Sequence, residues 1–365
     1  MKKSLVALAI LAAAGVASAQ SSVTLFGVVD VNYAHGSGSG VGSSSKSQIT
    51  DSGYNSSRLG FRGTEDLGGG MSASFWLEAG INPDNGTGDV TNTNNQTTGT
   101  GAATAGTQGL TFNRRSTVSL ASGLGELRLG RDYTPQFWNQ TVFDPFGTNG
   151  VGTTQTLSSS IGGNALTGVR ASNSVGYFLP GNLGGFYGQF QAYMGENNKN
   201  GAATEKDGNG SAIRLGYANG PVNVALATAS TKFAPTATTG KIRSTNLGGS
   251  FDFGVAQAMA LVTRDKVDST PTSVTGKGAL IGALVPMGAG QIRASYSTYK
   301  TDAAGTPKSK KWALGYVHNL SKRTALYTTF ARVTNSGGAA QALNGAVTAA
   351  NARSTGYDFG IKHSF

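Results

Sequence analysis

Between Val23 and Tyr33 the chain alternates: Val23, Leu25, Gly27, Val29, Val31 and Tyr33 share one parity, while Thr24, Phe26, Val28, Asp30 and Asn32 share the other. A period of two describes an extended strand with one apolar face, not a helix. The same alternation returns near residues 57–65, 71–80, 111–120, 124–132, 170–179, 185–195, 211–219, 222–230, 243–252, 254–265, 276–285, 290–300, 309–319, 324–334 and 354–365. Sixteen strands are therefore predicted. Past the N-terminus no run approaches the roughly 18–20 apolar residues that a transmembrane helix needs, so a helical membrane protein is excluded.

Composition fits neither a soluble domain nor a helical bundle. Of 365 residues 13% are charged and 38% hydrophobic, both low, while 55 are glycine and none is cysteine. Without cysteine there is no disulfide scaffold, thiol nucleophile or cysteine zinc site. Lys2 and Lys3, the apolar stretch Leu5 to Val16 and the small-residue sequence Ala17-Ser18-Ala19 read as a secretory signal, residues 1–19, leaving one domain at 20–365. Its removal takes away two lysines, so the formal charge of +11 becomes +9.

The connections alternate in character. Asp66 to Gly70, Ser122 to Gly125, Asn219-Gly220-Pro221, Pro286 to Gly290 and Asn319 to Arg323 carry tight-turn residues. Between them fall long stretches, 35–52, 81–110, 133–168, 196–210 and 335–353, rich in Gly, Ser, Thr, Asn and Ala. Short turns at one end and long loops at the other, with an even strand count, predict an all-β fold: a 16-stranded antiparallel transmembrane β-barrel with lipid outside and water within. A barrel of that size keeps an aqueous channel. The aromatic residues Tyr33, Trp76, Tyr177, Phe186, Tyr193, Tyr296, Trp312, Tyr316, Tyr327, Phe330 and Tyr357 fall near strand ends and suit interfacial girdles. In the last segment Tyr357, Phe359, Ile361, His363 and Phe365 share one parity, and the terminal Phe365 is expected to act as an assembly signal.

These stretches carry a resemblance. SSVTLFGVVDVNYA from Ser21, SRLGFRGTEDLGGG from Ser57, GELRLGRDYTP from Gly125, DPFG from Asp144, SNSVGYFLP from Ser172, WALGYVHNLSKRTALY from Trp312 and GYDFGIKHSF from Gly356 resemble, in order and spacing, the trimeric general porins of Gram-negative outer membranes, most of all their beta-proteobacterial branch. The resemblance implies a third long loop folded into the lumen, a homotrimer and passive diffusion of small hydrophilic solutes. It also implies a ladder of arginines facing acidic groups at the narrowest point.

Parity selects candidates for that ladder. Leu59 and Phe61 take the lipid face, which turns Arg58 and Arg62 inward; Phe75 and Leu77 point out, so Trp76 and Glu78 point in. Val118 and Leu120 outside put Arg115 inside with Thr117, leaving Arg114 the less favoured neighbour. Leu127 and Leu129 outside put Glu126, Arg128 and Asp132 inside, and Arg170 shares the parity of Ser172 and Ser174. The stretch 133–168 holds a single charge, Asp144, among Phe137, Trp138, Val142, Phe143 and Phe146, which suits a segment packed on the inner wall with its carboxylate near the arginines. Arg58, Glu78, Arg114 or Arg115, Asp132, Asp144 and Arg170 are thus the expected constriction, with Arg62 and Arg128 nearby. Fixed guanidinium groups in a narrow wet pore predict anion preference.

Other chemistry is thin. His35, His318 and His363 lack ligand spacing, Gly36 to Gly40 precedes no helix, and no basic stripe points to nucleic acid. No cofactor and no enzymatic activity are expected. The expected partners are outer-membrane lipid and lipopolysaccharide, with preferentially anionic solutes inside. Two alternatives are a barrel that mainly displays adhesive loops, which would show no conductance steps, and a soluble β-sandwich enzyme or lectin, which would fractionate with the periplasm.

Overall fold

A computed structural model describes residues 22–96, 109–161, 166–232, 240–269 and 272–365; the expected leader, 1–19, lies outside them. The described residues form sixteen antiparallel strands closed into a barrel. They are β1 (Ser22–Ser37), β2 in two halves (Ser45–Asp51 and Arg58–Gly68), β3 (Met71–Asn82), β4 (Arg115–Ser122), β5 (Gly125–Tyr133), β6 (Arg170–Phe178), β7 (Phe186–Tyr193) and β8 (Gly210–Asn219). The second half comprises β9 (Val222–Lys232), β10 (Gly240–Asp252), β11 (Gln257–Ser269), β12 (Ser273–Met287), β13 (Gly290–Thr301), β14 (Lys308–Asn319), β15 (Thr324–Ser336) and β16 (Arg353–Ser364). The seam pairs first with last, Val28 opposite Ser364 through Ser37 opposite Thr355.

Alternation sets the two surfaces. Leu25, Val118, Leu127, Val175, Leu226, Val262, Ile281, Leu314 and Phe359 lie exposed on the outside, whereas Ser119, Ser174, Gln191, Asn246, Ser297 and Asp358 are buried on the inside. Tyr296, Trp312, Phe330 and Tyr357 stand in the exposed outer band, as a girdle requires. Three of the aromatic candidates turn the other way: Tyr193 and Tyr327 are buried inward, and Trp76 lines the lumen. Tyr327 packs on Tyr54 of the inward turn, Tyr193 shares a hydrogen bond with Thr231, and Trp76 packs on Phe26 and donates to Glu78.

The half strand Ser45–Asp51 departs from the loop expected over 35–52. It pairs with Val31–Ser37 and stacks above the apolar zone, so its sequence, SKSQITD, has no lipid-facing signal to read. Between the halves, residues 52–57 turn inward around Asp30, whose Oδ2 accepts from the backbone N–H of Tyr54 at 3.0 Å and of Asn55 at 2.6 Å, while Tyr327 donates its hydroxyl to Oδ1.

The third long loop enters the barrel. Thr134 precedes α1 (Pro135–Val142), with Pro135 supplying a preset φ at the first turn, and Asp144-Pro145 prevents the helix from continuing. Helix α1 packs on β8, β9 and β10. Asn139 donates to the Ala225 carbonyl at 2.9 Å and accepts from Arg214 Nε at 2.6 Å, and Asn246 donates to the Gln136 carbonyl at 2.9 Å. Phe143, fully buried, joins Ala225, Leu261 and Leu280, with its ring where a Cβ on Gly248 would sit. Farther on, Phe146, Val151 and Leu157 bury against Tyr299, Ala313, Ala331 and Val333, with Leu157 carried on the short helix α2 (Gln155–Ser158).

Candidate pore constriction

With the loop laid along β8 to β16, the open part of the lumen narrows to a cavity of about 660 Å³ between β2 to β6 and the loop. One side is Arg58, Arg62, Trp76, Glu78, Arg114, Arg115, Tyr133 and Arg170; the other is Phe137, Trp138, Thr141, Thr148, Asn149 and Gln155. Five guanidinium groups therefore face a single lining carboxylate.

Each is held differently. Arg58 follows the inward kink of β2, and its Nη1 donates to Asn55 Oδ1 at 3.0 Å and the Ser56 carbonyl at 2.8 Å, so the break in the strand aims it. Ser56 in turn donates to Asn149 of the loop at 2.7 Å, tying kink to constriction. Glu78 lies beneath: Arg114 Nε stands 2.5 Å from its Oε1, Arg58 Nε 3.9 Å, and Trp76 Nε1 donates to Oε2 at 3.0 Å. Arg115 lies over the Trp76 ring at 4.6 Å, with Asp132 3.8 Å from its Nε. Tyr133 links two more: its hydroxyl accepts from Arg114 Nη2 at 2.6 Å and Arg170 Nη2 at 3.1 Å, and Arg170 stacks on its ring at 4.6 Å. Arg62 packs against Phe26 and Trp76 at 5.3 and 5.1 Å. Stacking fixes guanidinium planes while leaving their charge in place.

Two expectations change. Parity favours Arg115 over Arg114, yet both line the cavity, and Arg114 makes the tighter ion pair; β4 starts at Arg115, so the strand period does not govern the residue before it. Asp144 does not reach the arginines. It is fully buried within the loop, where Oδ1 accepts from Phe146 N at 2.9 Å and Oδ2 from Thr154 N at 2.7 Å and Thr153 Oγ1 at 3.3 Å. Burial pushes its carboxyl above the ordinary aspartate range, and these hydrogen bonds pull against that. Asp132 stays inside but beside the cavity, paired at 2.6 Å with Arg128, which also meets Glu126 at 2.9 Å. Phe365 covers Gly27 at the seam, its backbone carbonyl accepting from Gly27 N at 3.2 Å, and its edge reaches the same cavity.

Period and parity do not find Tyr133, the hub between Arg114 and Arg170, or Arg131. Parity sends Arg131 to the lipid, but Gly130 sits at φ +119° within an irregular stretch of the β5–β6 pairing, and the side chain docks on the second long loop, donating to the carbonyls of Asn113 at 2.5 Å and Asn92 at 2.9 Å. Arg214 and Arg293 are further inward cations, on strands whose sequence alone assigns them no place at the pore. Among the described residues no cluster of metal-ligating side chains occurs.

A closed sixteen-stranded barrel with a loop-narrowed, arginine-lined lumen defines a channel-forming outer-membrane protein. The Gram-negative porin family profile matches residues 4–338, and the chain belongs to that family. It is 38% identical over 375 residues to outer membrane porin protein 32 of Delftia acidovorans, covering all of both chains, and 29% identical to an outer membrane porin protein of Bordetella pertussis, again over the full length of both. Among solved structures it superposes on an anion-selective porin from Comamonas acidovorans with a TM-score of 0.82 and 35% identity, covering 94% of this chain and all of that one. It is accordingly an outer-membrane porin of a Gram-negative bacterium.

Proposed function

We propose that this porin passes small hydrophilic solutes by diffusion, without a catalytic step, and prefers anions. The observation that carries the reading is the cavity where Arg58, Arg62, Arg114, Arg115 and Arg170 face Glu78 alone. Guanidinium groups stay charged at any working pH, and low-dielectric walls on both sides concentrate their field in the water between. An anion entering there exchanges part of its hydration for several donors in turn, which favours weak, successive binding over capture. A cation meets a wall whose positive charge Glu78 only partly offsets. The anion-selective porin of similar fold supports the same reading. We further propose a homotrimer, on the family resemblance.

A planar bilayer with a potassium chloride gradient tests the proposal. The zero-current potential is expected to take the anion-selective sign, with current entering in groups of three steps. A potential of the opposite sign would remove the arginine cavity as the filter, and single unlinked steps would remove the trimer.

A further inference from the structure

The loop side of the constriction is aromatic where the fold does not require it. Helix α1 buries Pro135, Gln136, Phe137, Asn139 and Gln140 in its packing and leaves the half-buried Trp138, with Thr141, to line the cavity. A polar residue in place of that indole would serve the helix as well. Trp138 is also tied to the cations. Its ring meets that of Tyr133, with centroids 5.3 Å apart and planes tilted by 55°, and at the other end of the same phenol the hydroxyl accepts from Arg114 at 2.6 Å and Arg170 at 3.1 Å. Aromatic surface and positive charge thus stand one phenol ring apart.

Those cations keep charge to offer a ligand. Glu78 pairs with Arg114 and Arg58, and Asp132 lies beside Arg115, but among the described residues no ion pair involves Arg170, and its buried Nε has no acceptor there. The rest of the loop face, Thr141, Thr148, Asn149 and Gln155, is polar and uncharged, so it neither repels an anion nor holds one. A solute that carries a carboxylate for the guanidinium groups and a flat ring for Trp138 uses both surfaces at once. Chloride or phosphate uses the guanidinium groups alone, and an aliphatic acid brings no π-system to set against the indole or the guanidinium planes. At about 660 Å³ the cavity admits a single-ring acid with water beside it.

We propose that the constriction holds a weak subsite for aromatic carboxylates, with the carboxylate on Arg170 and Arg114 and the ring on Trp138. The subsite rests on the anion preference proposed above and adds which class of anion gains most from it.

The test places the full-length porin in a planar bilayer in potassium chloride at neutral pH, adds sodium benzoate, propanoate or cyclohexanecarboxylate, and reads block of the single-channel current. Benzoate is expected to reach half-block at a concentration about two- to tenfold below propanoate, the span of one aromatic pair. Cyclohexanecarboxylate, equal in bulk but without a π-system, should need more than benzoate; equal block by the two would overturn the aromatic assignment, and this arm needs no variant. W138A should bring benzoate and propanoate together, and W138F should keep them apart. If W138A weakens both acids alike and leaves their ratio in place, Trp138 only shapes the loop and the proposal falls. The zero-current potential of the unaltered porin separates the two readings. A cation-selective sign removes the anion preference itself, whereas an anion-selective sign with equal block by benzoate and propanoate overturns the subsite alone.

Discussion

The two halves of the lumen wall obey one alternation rule and use it in opposite ways. Across β2 to β6 five of the inward cations line the open cavity, as Arg115 does over Trp76. Across β8 to β16 they are roofed by the third loop: Lys311, 1% exposed, donates to the carbonyls of Val151 and Thr153, and Asp358 accepts from Val151 N at 2.7 Å. On the proposed reading an inward charge is a filter where the loop is absent; where the loop is present it is an anchor. The loop, more than the barrel, decides which charges the solute meets.

The sharpest way to break that division is to detach the roof. F143A empties a fully buried site against Gly248 and is expected to cost about 3–5 kcal/mol of loop packing. Single-channel conductance should rise and become noisy, and limited proteolysis should begin to cut within residues 135–161; a steady, unchanged conductance would show that the loop is held without Phe143. On the open half, R58Q/R115Q/R170Q removes three fixed charges, each worth about 2 kcal/mol at 8 Å for an effective dielectric of 20. The zero-current potential should move toward zero. The loss should be largest at low ionic strength, because screening contracts from about 10 Å at 0.1 M to about 3 Å at 1 M salt. The smallest effect belongs to D144N. With its carboxylate turned onto Phe146 N and Thr154 N, the substitution should leave the zero-current potential in place, whereas a clear shift would return Asp144 to the filter.

What is legible in the sequence follows from period and parity. Sixteen alternating segments and two kinds of connection specify the barrel, and the inward positions of Arg58, Trp76, Glu78 and Arg170 follow from apolar neighbours that the lipid requires. The misreadings lie where that requirement lapses. Ser45–Asp51 rises above the apolar zone, Arg114 precedes its strand, and Arg131 follows the irregular pairing at Gly130. Asp144 is misplaced by chemistry alone, as a carboxylate that ought to meet arginines; backbone N–H groups of its own loop are nearer. Tyr133 carries no charge, so nothing in its residue type marks it as the link between Arg114 and Arg170.

The seam between β1 and β16 governs the order of events during biogenesis. On the seam side, Val28 to Ser37 can find their partners only after residues 355–364 have been delivered, more than three hundred residues along the chain. The entropy lost in joining such distant segments grows only logarithmically with the separation, so equilibrium tolerates the arrangement. Kinetics is less forgiving, since long-range strand pairing is slow and, until it completes, the sheet presents two unpaired edges. Insertion is thus governed by whatever shields those edges in the interval before closure.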